Sequence, residues 1–231
     1  MIGAQAVYLH TGPADLAVAE LTTDADLAIS PQFLADEPDN IQVDLLVPEA
    51  LAGRGRRSAE LSAHTGKVAR RALGIEGALV DNETPHHRGA RATDDRSVDV
   101  AVAGPAALLA AKIHKIADRA GHPGRVRDKD ALDVLRLLRA IPLDELTQRT
   151  RDLLASDLAG DVTRTALGYG NELLGQPEQP WAQMAARAVA GLEDPDIIAA
   201  SLAALFSDLA YSKRRCSTFV AEPRIRRRDG R

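Results

Sequence analysis

Apolar residues alternate with polar ones in two N-terminal stretches and recur every three to four positions through most of the second half. In Thr22–Ile29, Ala25, Leu27 and Ile29 alternate with Thr22, Asp24, Asp26 and Ala28. That period predicts a strand with one apolar face. Ile41–Val47 predicts a second strand, with Ile41, Val43, Leu45 and Val47 on one face, Asp44 on the other, and Pro48 closing it. Short strands are expected at Ala78–Val80 and Ser97–Val102. The opening residues, Met1 to Leu9, form an apolar segment around the Gly3-Ala4 turn.

From Gly104-Pro105 onward the period is helical. Proline suits the first turn of a helix, and the first one is expected over 106–120, stopping at Gly121. Asp128 is the expected N-cap of the next, 129–140, which ends before Pro142. Further helices are expected over 142–155, 160–174, 180–192 and 195–211, punctuated by Gly175, Pro177, Pro180 and Pro195. The expected class is therefore α/β (α+β): an N-terminal mixed sheet with flanking helices over 1–103, an all-α bundle over 104–216, and a disordered basic tail over 217–231.

Composition agrees with a helix-rich globular chain, because Ala and Leu dominate and aromatic residues make up only 3% of the 231 residues. A single cysteine, Cys216, has no intrachain partner, which fits a reducing cytoplasm. No apolar run approaches the roughly 20 residues that a membrane span needs.

The net charge of −4 hides an asymmetry. Residues 1–50 carry nine acids and no Lys or Arg, so the other 181 residues hold all 29 basic side chains against 24 acids. Arg54, Arg56 and Arg57 form one basic cluster, and Arg224, Arg226, Arg227, Arg228 and Arg231 another. An acidic cation-binding half joined to a basic half suits a polyanionic substrate.

Candidate chemistry starts at Asp24-x-Asp26. In an extended strand the two carboxylates project from one face, about 6–7 Å apart. Such a pair repels unless a cation or a proton lies between its members. Mg²⁺ takes oxygen ligands of this type, commonly with nucleotide phosphates completing its shell. The third carboxylate is Asp44 or Asp99, with Asp44 preferred because it lies on the strand directly after the pair. Lys112, Lys115 and Arg119 share a helix face at i, i+3 and i+7. Lys112 sits in a largely apolar stretch and needs a carboxylate partner, for which Asp130 and Asp133 are the candidates.

The order of these pieces resembles the nucleotidyltransferase superfamily: a small-residue turn at Gly3-Ala4, Asp24-x-Asp26 some 20 residues on, Asp44 on the next strand, then two helices with Lys112 and Lys129-Asp130. Within that superfamily the chain is most similar to the AbiEii/AbiGii-type toxins. Their Leu-x-x-Lys and Lys-Asp-x-x-Asp-Leu/Val patterns look like Leu109–Lys112 and Lys129–Val134 here. The resemblance covers roughly residues 2–140 and turns 4–9 into the start of a helix rather than a strand.

The resemblance implies a Mg²⁺- or Mn²⁺-dependent enzyme that uses an NTP. Asp24, Asp26 and Asp44 would be metal ligands, and Gly3, Ala4, Lys112 and Lys129 would contact the nucleotide. Lys112 and Asp130 would belong to the catalytic set. An RNA acceptor, plausibly tRNA, and a cognate antitoxin are the implied partners. The alternatives are a small-molecule transferase of the aminoglycoside type and a non-catalytic binding protein of the same fold. Two departures stand out: Ala4 replaces the family's second Gly or Ser, and the chain opens almost at the motif where relatives carry a preceding helix.

Overall fold

A computed structural model describes residues 1–12, 25–28, 43–52, 58–59, 69–88, 97–120, 122 and 127–217. It is a mixed α/β structure, mostly helical, with a small sheet. Helix α1 (Ala4–Thr11) comes first, then strands β1 (Ala25–Ala28) and β2 (Val43–Pro48) and the single turn α2 (Glu49–Ala52). Strands β3 (Ser58–Ala59) and β4 (Ala69–Ala72) complete a four-stranded sheet in the order β1-β2-β4-β3. The β1–β2 and β2–β4 pairings are parallel and β3–β4 is antiparallel.

Two small ladders follow. Strand β5 (Asn82–Glu83) pairs with β8 (Val102–Ala103), and β6 (His86–Arg88) with β7 (Ser97–Asp99), both antiparallel. The rest is helical: α3 (Pro105–Ala120), α4 (Asp128–Ala140), α5 (Leu143–Ala155), α6 (Gly160–Leu173), α7 (Pro180–Ala188) and α8 (Pro195–Ser217).

Local chemistry explains most boundaries. Helix α1 starts at Gly3, whose φ of 98° is open to glycine and strained for other residues. Helix α3 is capped from a distance: Asp81 Oδ2 accepts the N–H of Ala107 at 3.0 Å. The carboxylate lies so close to Gly104 that a Cβ there would sit 2.1 Å from Asp81 Oδ1. Asp194 Oδ1 accepts the N–H of Asp196 at 2.9 Å and so caps α8.

Five expectations change. Ala78–Val80 is no strand: Glu76–Leu79 forms a 3₁₀ turn, in which the Gly77 carbonyl accepts the N–H groups of Val80 and Asp81. The expected strand 97–102 is split, because Ser97–Asp99 pairs with β6 while Val102–Ala103 pairs with β5. Helix 180–192 ends at Ala188, where Val189 to Glu193 turn through Gly191 at φ 87°. Helix 195–211 continues to Ser217. Asp128 is also the first helical residue of α4, not its cap; Arg127 holds that position. The turn at 31–40, Gly121 and the tail 218–231 lie outside the described residues.

One apolar cluster runs from Ile2 and from Ala6 and Val7 of the first helix, through Leu46 of β2, to Phe206 and Leu209 of α8. Aromatic residues are few, so Leu and Ala ridges fill it, with Phe206 as its largest fully buried side chain. Phe206 packs directly on Gly170 of α6, where a Cβ would come within 2.0 Å of Cζ. No described helix is long and apolar enough to cross a membrane.

Candidate functional site

Among the described residues, the expected carboxylates and Lys112 fall into two groups, one on the sheet and one between helices. On the sheet, β1 and β2 run parallel with Asp26 opposite Asp44. Neighbouring strands lie about 4.8 Å apart, so this rung brings two acidic residues together across the ladder. Asp24, the first residue of the Asp-x-Asp pair, lies outside the described residues, as does the Arg54–Arg57 stretch. Asp99 belongs to a different sheet, the β6–β7 ladder, where its carboxylate meets His86 Nδ1 at 2.8 Å. Of the two candidates for the third carboxylate, Asp44 is therefore the one beside Asp26. Its Oδ2 accepts a hydrogen bond from Arg70 Nη2 of β4 at 3.0 Å.

The second group is buried where α3 packs on α4. Lys112 is 3% exposed, Asp130 1%, Asp133 0% and Arg136 3%. Lys112 Nζ donates to Asp133 Oδ2 at 2.5 Å and lies 3.9 Å from Asp130 Oδ1. Asp133 Oδ1 accepts from Arg136 Nη1 at 3.2 Å. Arg119 Nη1 donates to Asp130 Oδ2 at 2.6 Å, and Lys115 Nζ stands 3.1 Å from Asp130 Oδ1. That last oxygen is within ion-pair reach of two ammonium groups but has no aligned hydrogen bond.

The helical period builds this cluster. Residues 112, 115 and 119 share one stripe of α3, and 130, 133 and 136 share one stripe of α4. Apolar neighbours such as Leu109, Ile113, Leu132 and Val134 carry these polar stripes into the core. Tyr8 of α1 adds its ring, 5.3 Å from the Arg136 guanidinium carbon, close enough for a cation–π contact.

Four cations thus surround two carboxylates. Burial pushes the Lys115 ammonium below its ordinary pKa, and the neighbouring positive charge of Lys112 pushes the same way against the pull of Asp130. Lys112 is enclosed by Asp130 and Asp133. Lys115 and Arg119, with side chains 37% and 25% exposed, are the members that reach solvent.

Gly3 and Ala4 stand at the start of α1, where the Gly3 carbonyl accepts the Val7 N–H at 3.2 Å. Lys129 occupies the first turn of α4. Neither Arg70 beside Asp44 nor Arg136 beside Asp133 was an expected site residue. Arg136 carried a signal, since Asp130, Asp133 and Arg136 repeat every three residues on one helix. Arg70 carried none, because its pairing depends on the β2–β4 register, 26 residues apart.

Arg149 forms a third polar knot. Its guanidinium donates to Asp81 Oδ1 at 2.8 Å, to Glu145 Oε1 at 2.9 Å and to Glu83. Burial opposes its charge, but the hydrogen bonds to Asp81 and Glu83 outweigh that and hold its pKa above the ordinary value. With Asp81 capping α3, this knot ties the β5 region to α3 and α5.

Among the described residues, no cluster of three or more His, Cys, Asp or Glu side chains is arranged to hold a metal ion. No family model matches the chain, and no curated protein or solved structure is similar enough to count as a relative.

Proposed function

We propose that this chain is a divalent-cation-dependent nucleotidyltransferase that moves a nucleotidyl group from an NTP to an RNA acceptor, as the toxin of a toxin–antitoxin or abortive-infection pair. The observation that supports this most is the Asp26–Asp44 rung of the parallel β1–β2 ladder. Two acids at one rung are costly in a structural strand and useful in a cation site. Their donor chemistry fits a hard cation, since every candidate ligand, Asp24, Asp26 and Asp44, supplies oxygen.

In this reading Asp24, Asp26 and Asp44 would hold Mg²⁺ or Mn²⁺. The cation would supply charge neutralisation for the triphosphate, the main demand of phosphoryl-type transfer. The acceptor hydroxyl attacks the α-phosphorus, its P–O bond forms, and the bond to pyrophosphate breaks. Asp44 would either ligate the cation or take the hydroxyl proton at its carboxylate. Gly3 and Ala4 open α1, and a helix N-terminus favours phosphate. Lys115 and Arg119 are the solvent-facing charges of the buried Lys112–Asp130–Asp133 cluster.

Incubating the protein with Mg²⁺, each labelled NTP, and total tRNA or an aminoglycoside acceptor tests this. Label incorporated into RNA is the expected result. Label transferred only to small acceptors selects the aminoglycoside-type reading, and no transfer with intact NTP binding selects the non-catalytic one.

A further inference from the structure

Arg70 is the unexpected member of the sheet group. It pairs with Leu46 across the β2–β4 ladder, and Leu46 is two residues beyond Asp44. Strand parity puts residues 44 and 46 on the same face, so Arg70 reaches Asp44 diagonally, Nη2 to Oδ2, at 3.0 Å. Both side chains are open, 57% and 41% exposed. An ion pair this exposed adds little to stability, and the main-chain ladder holds β2 to β4 without it. The pair therefore has little structural purpose, yet it covers the carboxylate that stands beside Asp26.

We infer that Arg70 is a resident counter-ion at Asp44 which a divalent cation displaces, and that the freed guanidinium then contacts the triphosphate. The inference rests on reading Asp26 and Asp44 as a cation site. A divalent ion at Asp44 would stand close to the Arg70 guanidinium, now 3.0 Å from Oδ2, and the repulsion between the two positive charges weakens the Arg70 contact. The double charge of the ion wins the carboxylate, and Arg70 swings out on its flexible stem. Guanidinium donors form a planar fork that matches phosphate oxygens. One side chain thus screens the acidic rung when the site is empty and adds positive charge when substrate arrives.

The two halves predict opposite effects from one substitution. Arg70→Gln removes the competitor, so Mn²⁺ alone, followed by electron paramagnetic resonance of the free ion, should bind up to about fivefold more tightly. The same variant should bind inorganic tripolyphosphate in excess Mg²⁺ about fivefold more weakly. Arg70→Lys, which keeps the charge, should stay near wild type for Mn²⁺. Thermal melting and circular dichroism should show both variants folded.

Mn²⁺ affinity unchanged in Arg70→Gln while wild type binds Mn²⁺ overturns the counter-ion role and leaves the cation site standing. Mn²⁺ and tripolyphosphate weakening together marks a structural residue and also overturns it. Absence of Mn²⁺ binding in wild type and variant alike removes the cation site and this inference with it.

Discussion

Lys112 and Asp133 meet in a 2.5 Å hydrogen bond between two side chains that are almost wholly buried. Removing either partner would leave a buried polar group without its main contact. Arg136 completes the carboxylate from the other side at 3.2 Å, so Asp133 is the hinge of two cation contacts and Lys112 of two carboxylate contacts.

Breaking this pair should cost stability. Lys112→Met leaves Asp133 with Arg136, whereas Asp133→Asn leaves two buried cations without their carboxylate. Loss of one partner of a buried ion pair costs about 3–5 kcal/mol. Urea unfolding should therefore show both variants destabilised, Asp133→Asn the more so. A Lys112→Met/Asp133→Asn double variant should lose less than the sum of the two singles. Additive losses in the double variant would show that the pair is not coupled.

Packing makes a second, independent prediction. Gly170→Ala puts a Cβ within 2.0 Å of Phe206 Cζ, and Phe206 is fully buried. Overpacking of this kind costs about 1–3 kcal/mol. Phe206→Leu in the same chain should relieve the clash, so the double variant should be more stable than the sum of the two singles. Gly168, two residues away, has open space around its Cβ position, and Gly168→Ala should be tolerated in the same melt.

Lys115 ties stability to pH. Its folded pKa lies below the ordinary 10.5 because burial, and then the charge of Lys112, disfavour the ammonium. Between the folded and ordinary values the unfolded chain binds more protons than the folded one, so this group makes stability rise with pH across that window. Below the folded value, the full penalty of the charged side chain remains. Lys115→Met should remove this slope. The measurement is the difference in unfolding free energy between wild type and variant from pH 7 to pH 10.5, and a flat difference would contradict the assignment. The partial exposure of Lys115 keeps the expected effect small.

The helices were legible because their signals are local. The 16-residue α3 and 13-residue α4 carry a strong period, with Pro105 at one start and acids in the other's first turn. Their stripes placed Lys112 against Asp130 or Asp133, and the structure uses both. Ala78–Val80 was misread because a three-residue apolar run has no period, and local hydrogen bonds close Glu76–Leu79 into a 3₁₀ turn instead. The Arg149–Asp81 and Arg70–Asp44 pairs span 68 and 26 residues, and only tertiary packing and sheet register create them. Asp44's place beside Asp26 needed the parallel register, which alternation in two separate strands does not specify.

The sheet placement separates Asp44 from Asp99 by experiment. If the rung with Asp26 is the cation site, Asp24→Ala, Asp26→Ala and Asp44→Ala should each abolish NTP-dependent labelling while leaving the far-ultraviolet circular dichroism unchanged. Asp99→Ala breaks only an exposed pair with His86, so its activity should stay within about twofold of wild type. Full activity in Asp44→Ala together with loss in Asp99→Ala would reverse the assignment.

The charge asymmetry predicts how the acceptor binds. Residues 51–231 carry a net +5 and residues 1–50 a net −9, so the overall −4 conceals a basic part. Lys and Arg contacts to phosphates release condensed counterions, and affinity then falls steeply as salt rises. Replacing Arg54, Arg56 and Arg57 together with Gln should weaken tRNA binding and flatten the salt slope by about one unit per lost phosphate contact. The same triple variant should bind Mn²⁺ as wild type does, because the Asp26–Asp44 rung is unchanged. A fluorescence titration of tRNA at several salt concentrations gives both slopes. A wild-type affinity that does not change with salt would show that phosphate contacts do not drive binding, and would turn the search for the acceptor to small molecules.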